Sequence, residues 1–141
     1  MIYQKNEVLL KVDNVSLQYG DKLILRATNF NIKNIVRPTI SQGQVVSLVG
    51  QSGIGKTQLC RILSGLNPPT SGKVIVGQKQ EEVKEGDMGV VFQNYPLFEH
   101  RRIRKILQLS AEKNPNIKSS EIKEYIDFYA DKFNLKEHLD K

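Results

Sequence analysis

Gly50-Gln51-Ser52-Gly53-Ile54-Gly55-Lys56-Thr57 decides how this chain reads. It matches G-x-x-x-x-G-K-[ST], the pattern of a phosphate-binding loop. Gly50, Gly53 and Gly55 permit backbone conformations that side chains forbid. Successive N–H groups can then turn inward around an anion, and a following helix adds partial positive charge at the same point. Lys56 can reach the β- and γ-phosphates of a nucleotide, and the Thr57 hydroxyl can ligate Mg²⁺. The flanks agree with this reading. Val45-Val46-Ser47-Leu48-Val49 is a nearly continuous apolar run, the pattern of a strand buried on both faces. Beyond the loop, Leu59, Ile62, Leu63 and Leu66 recur at i, i+3, i+4 and i+7, which is one face of a helix. Gly65 and Pro68-Pro69 end that helix. Gln58 and Arg61 fall on its outer face, and Cys60 reads as a small buried filler.

Upstream of the loop, residues 8–33 read as antiparallel strands. Val15, Leu17 and Tyr19 alternate with Ser16 and Gln18, Gly20-Asp21 is a turn signal, and Ile24-Leu25 opens a return strand. Thr28, Phe30 and Ile32 alternate with Asn29 and Asn31. Downstream, Lys73–Val76 and Met88–Phe92 are strand candidates separated by the charged stretch 78–87. Strand, glycine loop, helix and later strand predict an α/β core with a parallel sheet. Residues 101–141 read as helical. Ile103, Ile106 and Leu107 form a short stripe behind Arg101, Arg102, Arg104 and Lys105. After the Asn114-Pro115-Asn116 break, Ser119 or Ser120 caps a helix whose apolar face is Ile122, Tyr125, Ile126, Tyr129 and Phe133.

Composition bounds the function. The 141 residues are 39% hydrophobic and 26% charged, with 5 Phe and 5 Tyr, enough apolar material to exclude wholesale disorder. No window approaches the ~18 apolar residues of a membrane span. Residues 1–7 carry no apolar signal core, so a cytoplasmic location is the default expectation. The single cysteine fits a reducing compartment. A net charge of +6 suits phosphates or an anionic surface and is too weak to argue for nucleic acid.

Met88–Phe92 runs into Gln93, which stands where open α/β sheets bind ligands, at the carboxyl end of a buried strand. Its carbonyl oxygen can reach a metal or an attacking water.

Taken together, the loop 50–57, the segment Ser64–Gly72 after its helix, and Val90-Val91-Phe92-Gln93-Asn94-Tyr95-Pro96-Leu97-Phe98 resemble the amino-terminal part of an ABC transporter ATP-binding subunit. The resemblance implies a P-loop NTPase core with an incomplete RecA-like parallel sheet. It implies an antiparallel β subdomain over 1–44, the core over 45–93 and the start of a helical subdomain over 94–141. Tyr19 would stack on the adenine, a contact worth ~1–3 kcal/mol per base in nucleic-acid systems. Gly50, Gln51, Ser52, Gly53, Ile54, Gly55, Lys56, Thr57 and Gln58 would bind ATP. Thr57 and Gln93 would hold Mg²⁺, and Gln93 would sense the γ-phosphate and serve catalysis. The implied partners are a transmembrane permease and a second nucleotide-binding domain, with no nucleic acid. The implied location is the cytoplasmic face of a membrane.

The chain also departs from that family. The Leu-Ser-Gly-Gly-Gln signature, the Walker B strand ending in Asp-Glu and the switch histidine have no counterpart within 1–141. Leu9-Leu10-Lys11-Val12-Asp13 is interrupted by a lysine and misplaced. His100 and His138 read as solvated. Asn34–Ser41, with Arg37-Pro38, reads as an insertion. The expectation is therefore a partial subunit of an ABC transporter that binds ATP with little hydrolysis alone. The alternatives are a nucleotide-binding module without turnover and a soluble ABC-type ATPase. In the family the strands flanking the loop strand come later than Lys141, so 45–49 and 88–92 are not expected to pair with each other.

Overall fold

Gly20 and Asp21 fold two long strands onto each other, and the rest of the first unit is assembled on that hairpin. The computed structural model describes residues 4–36, 43–77, 81–94, 97–114 and 116–141. The strands are β1, Gln4–Tyr19, and β2, Lys22–Val36, paired antiparallel from Tyr19↔Lys22 to Gln4↔Val36. The chain then forms α1, Lys56–Leu63, β3, Ser71–Val76, and the two-residue β4, Glu81–Glu82. The sheet order is β2-β1-β3-β4, and every pairing is antiparallel.

Alternation along β1, reset by a bulge between Val12 and Val15 where Asn14 takes φ 49°, buries Leu10, Val12, Val15 and Leu17 on one face. The helix α1 lays Leu59 and Ile62 on that face, and Leu25 and Val74 close the same core. Two-faced strands were expected and do not form. Among the described residues 43–50 and 88–92 join no ladder, so the expected parallel sheet does not form there; the two segments do not pair with each other, as expected, and β3 pairs with β1. The physical reason is that a doubly apolar segment becomes a strand only when it has neighbours to supply hydrogen bonds and cover its faces. Val45 and Val49 are 90% and 95% exposed. Cys60, expected inside, is also exposed. Arg37–Gln42, with most of the expected insertion, lies outside the described residues, whereas Asn34, Ile35 and Val36 end β2.

The chain divides into two compact units, Met1–Val90 and Val91–Lys141. The second contains α2, Ile103–Glu112, a 3₁₀ turn at Ser119–Glu121, α3, Ile122–Lys132, and a last turn at Lys136–His138. Its core is Ile126, Ala130 and Leu139, with Ile103, Leu107, Ile122 and Leu135 packed around it. Three sequence expectations change here. Glu121 accepts the Lys118 backbone N–H, so the helix entry is closed by a glutamate rather than by Ser119 or Ser120. Phe133 is 63% exposed and does not join the core. Arg104, read as part of a basic surface, grips Asp140 through two hydrogen bonds of 3.0 and 3.2 Å. That grip holds the Asp140 carboxyl below the usual carboxylate range. Its contribution is present above ordinary carboxylate pKa values and is lost as pH falls through the lowered one. Among the described residues no helix is long and apolar enough to cross a membrane.

Ile62 is 1% exposed and ties α1 to the sheet. Ile62→Ala is expected to destabilise the first unit by about 2–5 kcal/mol, read as an earlier midpoint in urea denaturation.

Candidate functional site

The loop 50–57 is held from below by the hairpin. Gly55 is the residue just before α1 and sits at φ 103°. A Cβ there would come within 3.1 Å of the Leu25 side chain and 3.2 Å of Ile24. Glycine is therefore required twice over, for its backbone angle and for the close approach to β2. Gly53 uses the same left-handed region at φ 80° with open space around it. Gly50 does not: it lies outside the positive-φ set, and a Cβ would meet Ile54 at 3.3 Å.

Gln51, Ser52, Gly53 and Ile54 are exposed, and Gly55 is half-buried. Their backbone N–H groups have no hydrogen-bond partner among the described residues. The first N–H groups of α1 are unpaired for the ordinary reason that a helix start has no preceding turn. The result is a run of free donors at a helix N-terminus, which suits an anion. Lys56 donates from Nζ to the carbonyls of Gly50 and Gln51, both at 2.7 Å. The ammonium thus bridges the start of the loop from the first turn of α1. Thr57 is exposed at the same turn.

Tyr19 ends β1 and is 51% exposed. Its hydroxyl donates to Gln58 Oε1 at 3.3 Å. Asn67 Nδ2 donates to the same oxygen at 3.4 Å. The sequence put Gln58 on the outer face of the helix; here its amide joins the hairpin tip, α1 and the segment after it. Asn67 was missed because nothing in its spacing distinguishes it from the neighbouring Pro68-Pro69 turn. Tyr19, Gln58 and the loop are all in the first unit. Gln93 is exposed and belongs to the second. Tyr95 and Pro96, quoted in its segment, lie outside the described residues.

The donor set fits a polyphosphate, since it offers backbone amides, the Lys56 ammonium and the Ser52 and Thr57 hydroxyls, and no carboxylate. For Mg²⁺ the fit is narrower. Among the described residues no group of three or more His, Cys, Asp or Glu could hold a metal ion. The Thr57 hydroxyl is the one oxygen that the loop's own side chains place at the first turn for such an ion, beside those a bound nucleotide brings.

The family model of the ABC transporter matches residues 34–141. A sulfate/thiosulfate import ATP-binding protein of Synechocystis sp. is 33% identical over 115 residues, 78% of this chain and 30% of the relative. A spermidine/putrescine import ATP-binding protein of Spiroplasma citri is 38% identical over 65% of this chain and 25% of the relative. A solved structure of cbiO1 from Clostridium perfringens, part of the ABC transporter complex cbiONQ, overlays with a TM-score of 0.66 at 23% identity. It is matched over 96% of this chain and 54% of that one, a likeness of fold. The chain thus spans about a quarter to a third of the length of these curated relatives. The overlay makes the fold α/β of the P-loop NTPase class, in partial form.

Gly55→Ala is expected to strain the loop by about 1–2 kcal/mol, because its φ is left-handed and Leu25 and Ile24 close the space. Thermal melting would register this as a lowered midpoint, whereas Gly43→Ala, with open space and no positive φ, would leave it unchanged.

Proposed function

The chain belongs to the ABC transporter family, and from that premise we propose that it is a partial ATP-binding subunit that holds ATP on the loop 50–57 and turns it over little by itself. The observation that carries this reading is the run of unpaired amides at 51–55 beside the Lys56 ammonium. On this reading the backbone N–H groups of Gln51, Ser52, Gly53, Ile54 and Gly55 wrap the phosphates, and Lys56 leaves the Gly50 and Gln51 carbonyls for the β- and γ-phosphates. The exchange costs little, since one set of charge-assisted contacts replaces another. The Thr57 hydroxyl would ligate Mg²⁺, whose charge supports phosphoryl transfer when it is bound. Tyr19 would lie against the base, with its hydroxyl steadied by Gln58. Gln93 would take part in Mg²⁺ and γ-phosphate sensing.

Low turnover is proposed for residues 1–141 taken by themselves. Phosphoryl transfer is positioning plus charge stabilisation, and no glutamate in the chain stands in the Walker B context that orients a water. The wider assignments come from the same family reading. They are a subdomain division at 1–44, 45–93 and 94–141, coupling to a transmembrane permease, pairing with a second nucleotide-binding domain, and a position on the cytoplasmic face of a membrane. The relatives' names speak of sulfate/thiosulfate and of spermidine/putrescine import. Those cargoes belong to those proteins.

Titration calorimetry with Mg-ATP tests the proposal. Lys56→Ala removes a charge-assisted contact worth about 1.5–3 kcal/mol and should weaken binding about ten- to a hundredfold. Equal affinity for the two proteins, at equal foldedness, would contradict it. So would steady-state turnover at ~1 per second or more that Lys56→Ala abolishes.

A further inference from the structure

One side-chain amide, that of Gln58, takes up two donors from outside its own helix. Its Oε1 accepts the Tyr19 hydroxyl at 3.3 Å and Asn67 Nδ2 at 3.4 Å. Gln58 stands in the first turn of α1, directly after Thr57, and is half-buried, as is Asn67. Tyr19 is the last residue of β1, at the tip of the hairpin, with about half of its surface exposed. The chain around it is already fixed. The Gln18 backbone N–H donates to Thr70 Oγ1 at 3.0 Å, and Gln18 Nε2 donates to the Gly20 carbonyl at 2.8 Å. The Thr70 N–H in turn reaches the Ser16 carbonyl at 2.9 Å. The segment 67–70 thus braces the end of β1 through Thr70 and the Gln58 amide through Asn67. The freedom left at the hairpin tip is that of the Tyr19 side chain itself.

The chemistry of the amide gives Asn67 a definite part. A carboxamide can turn either its oxygen or its NH₂ toward a phenol, because a hydroxyl both donates and accepts. Asn67 Nδ2 can only donate, so it holds the Gln58 oxygen in place, and the Tyr19 hydroxyl is left to donate to it. That bond falls on the edge of the ring and restrains it without covering its faces. An exposed aromatic side chain loses rotamer freedom when a ligand settles on it, and a ring held beforehand avoids that loss at the moment of binding. The Gln58 oxygen is an acceptor, so it offers nothing to a phosphate.

We propose that Gln58 is a positioning residue for the base subsite, oriented by Asn67, and that it raises nucleotide affinity through the Tyr19 ring and not through the phosphates. The inference rests on the nucleotide reading above and adds what prepares the ring for the base. It makes the first turn of α1 serve both ends of one ligand: Lys56 and Thr57 face the phosphates, and Gln58 holds the platform for the base.

Titration calorimetry with two ligands, Mg-ATP and inorganic triphosphate with Mg²⁺, tests this on the whole chain. The proteins are the unaltered chain, Tyr19→Phe, Gln58→Leu, the double variant and Asn67→Ala. Tyr19→Phe keeps the ring and removes one exposed hydroxyl, so it remains informative even if Gln58→Leu loosens α1. Tyr19→Phe and Gln58→Leu are each expected to weaken ATP about two- to tenfold, and the double variant no more than either single change. Asn67→Ala should produce a smaller loss in the same direction. Triphosphate, which has no base, should bind all five proteins alike. The proposal is overturned if Gln58→Leu weakens triphosphate as much as ATP, which would put its amide on the phosphates. It is equally overturned if the losses from Tyr19→Phe and Gln58→Leu multiply in the double variant, because the two residues would then act separately. Both of these results leave the nucleotide reading standing, whereas binding of neither ligand by the unaltered chain would overturn the reading and the inference together.

Discussion

The burial of Leu59 and Ile62 against the β1–β2–β3 face is the constraint on which the first unit depends. A phosphate loop needs a rigid seat, because its donors are backbone amides whose directions are set by φ and ψ. In this chain the seat is the antiparallel hairpin. α1 is clamped onto Val12, Val15, Leu17 and Val74, and Gly55 lies against Ile24 and Leu25. The loop therefore keeps positive-φ turns at Gly53 and Gly55 although the segment before it has no strand partner. The same packing of α1 on the sheet sets the hairpin tip beside the first turn of α1, where the Tyr19 hydroxyl donates to Gln58.

Much of this was legible in the residues. The alternation through Val15, Leu17 and Tyr19 placed β1, Gly20-Asp21 placed the turn, and the i, i+3, i+4 spacing of Leu59, Ile62 and Leu63 placed α1. Those signals are local, since each is carried by a strand or helix whose partners are within the chain. The signals that misled depend on distant partners. Val45–Val49 and Met88–Phe92 have the composition of core strands, but pairing is decided by neighbours that no local pattern contains. Arg104 looked like a solvent-facing cation because its partner Asp140 is 36 residues away. Phe133 has the spacing of a core aromatic, yet it is the residue just after α3 and stacks on the Tyr129 ring while staying 63% exposed. At the site, the loop was legible as a motif, and the tie from Gln58 to Tyr19 and Asn67 was not, because three side chains from three segments meet there.

The two conditions of this chain, a seated loop and an unpaired approach to it, give it an asymmetric chemistry. Binding phosphate asks only for amides, a lysine and a hydroxyl, and all of these are within one unit. Splitting phosphate also asks for groups that position a water and neutralise developing charge, and the loop itself carries no carboxylate for that. On the proposed reading, ATP bound at the loop would stabilise the state in which α1 stays docked.

The central claim is that the loop, seated on the antiparallel hairpin, takes a nucleotide triphosphate through its own amides. A ¹H–¹⁵N correlation spectrum of the chain during Mg-ATP addition tests it most directly. The account predicts saturable shifts at the amides of Gln51, Ser52, Gly53, Ile54 and Gly55, with smaller ones at Tyr19 and Gln58. Unchanged loop amides at saturating nucleotide, or shifts confined to the Val91–Lys141 unit, would contradict it.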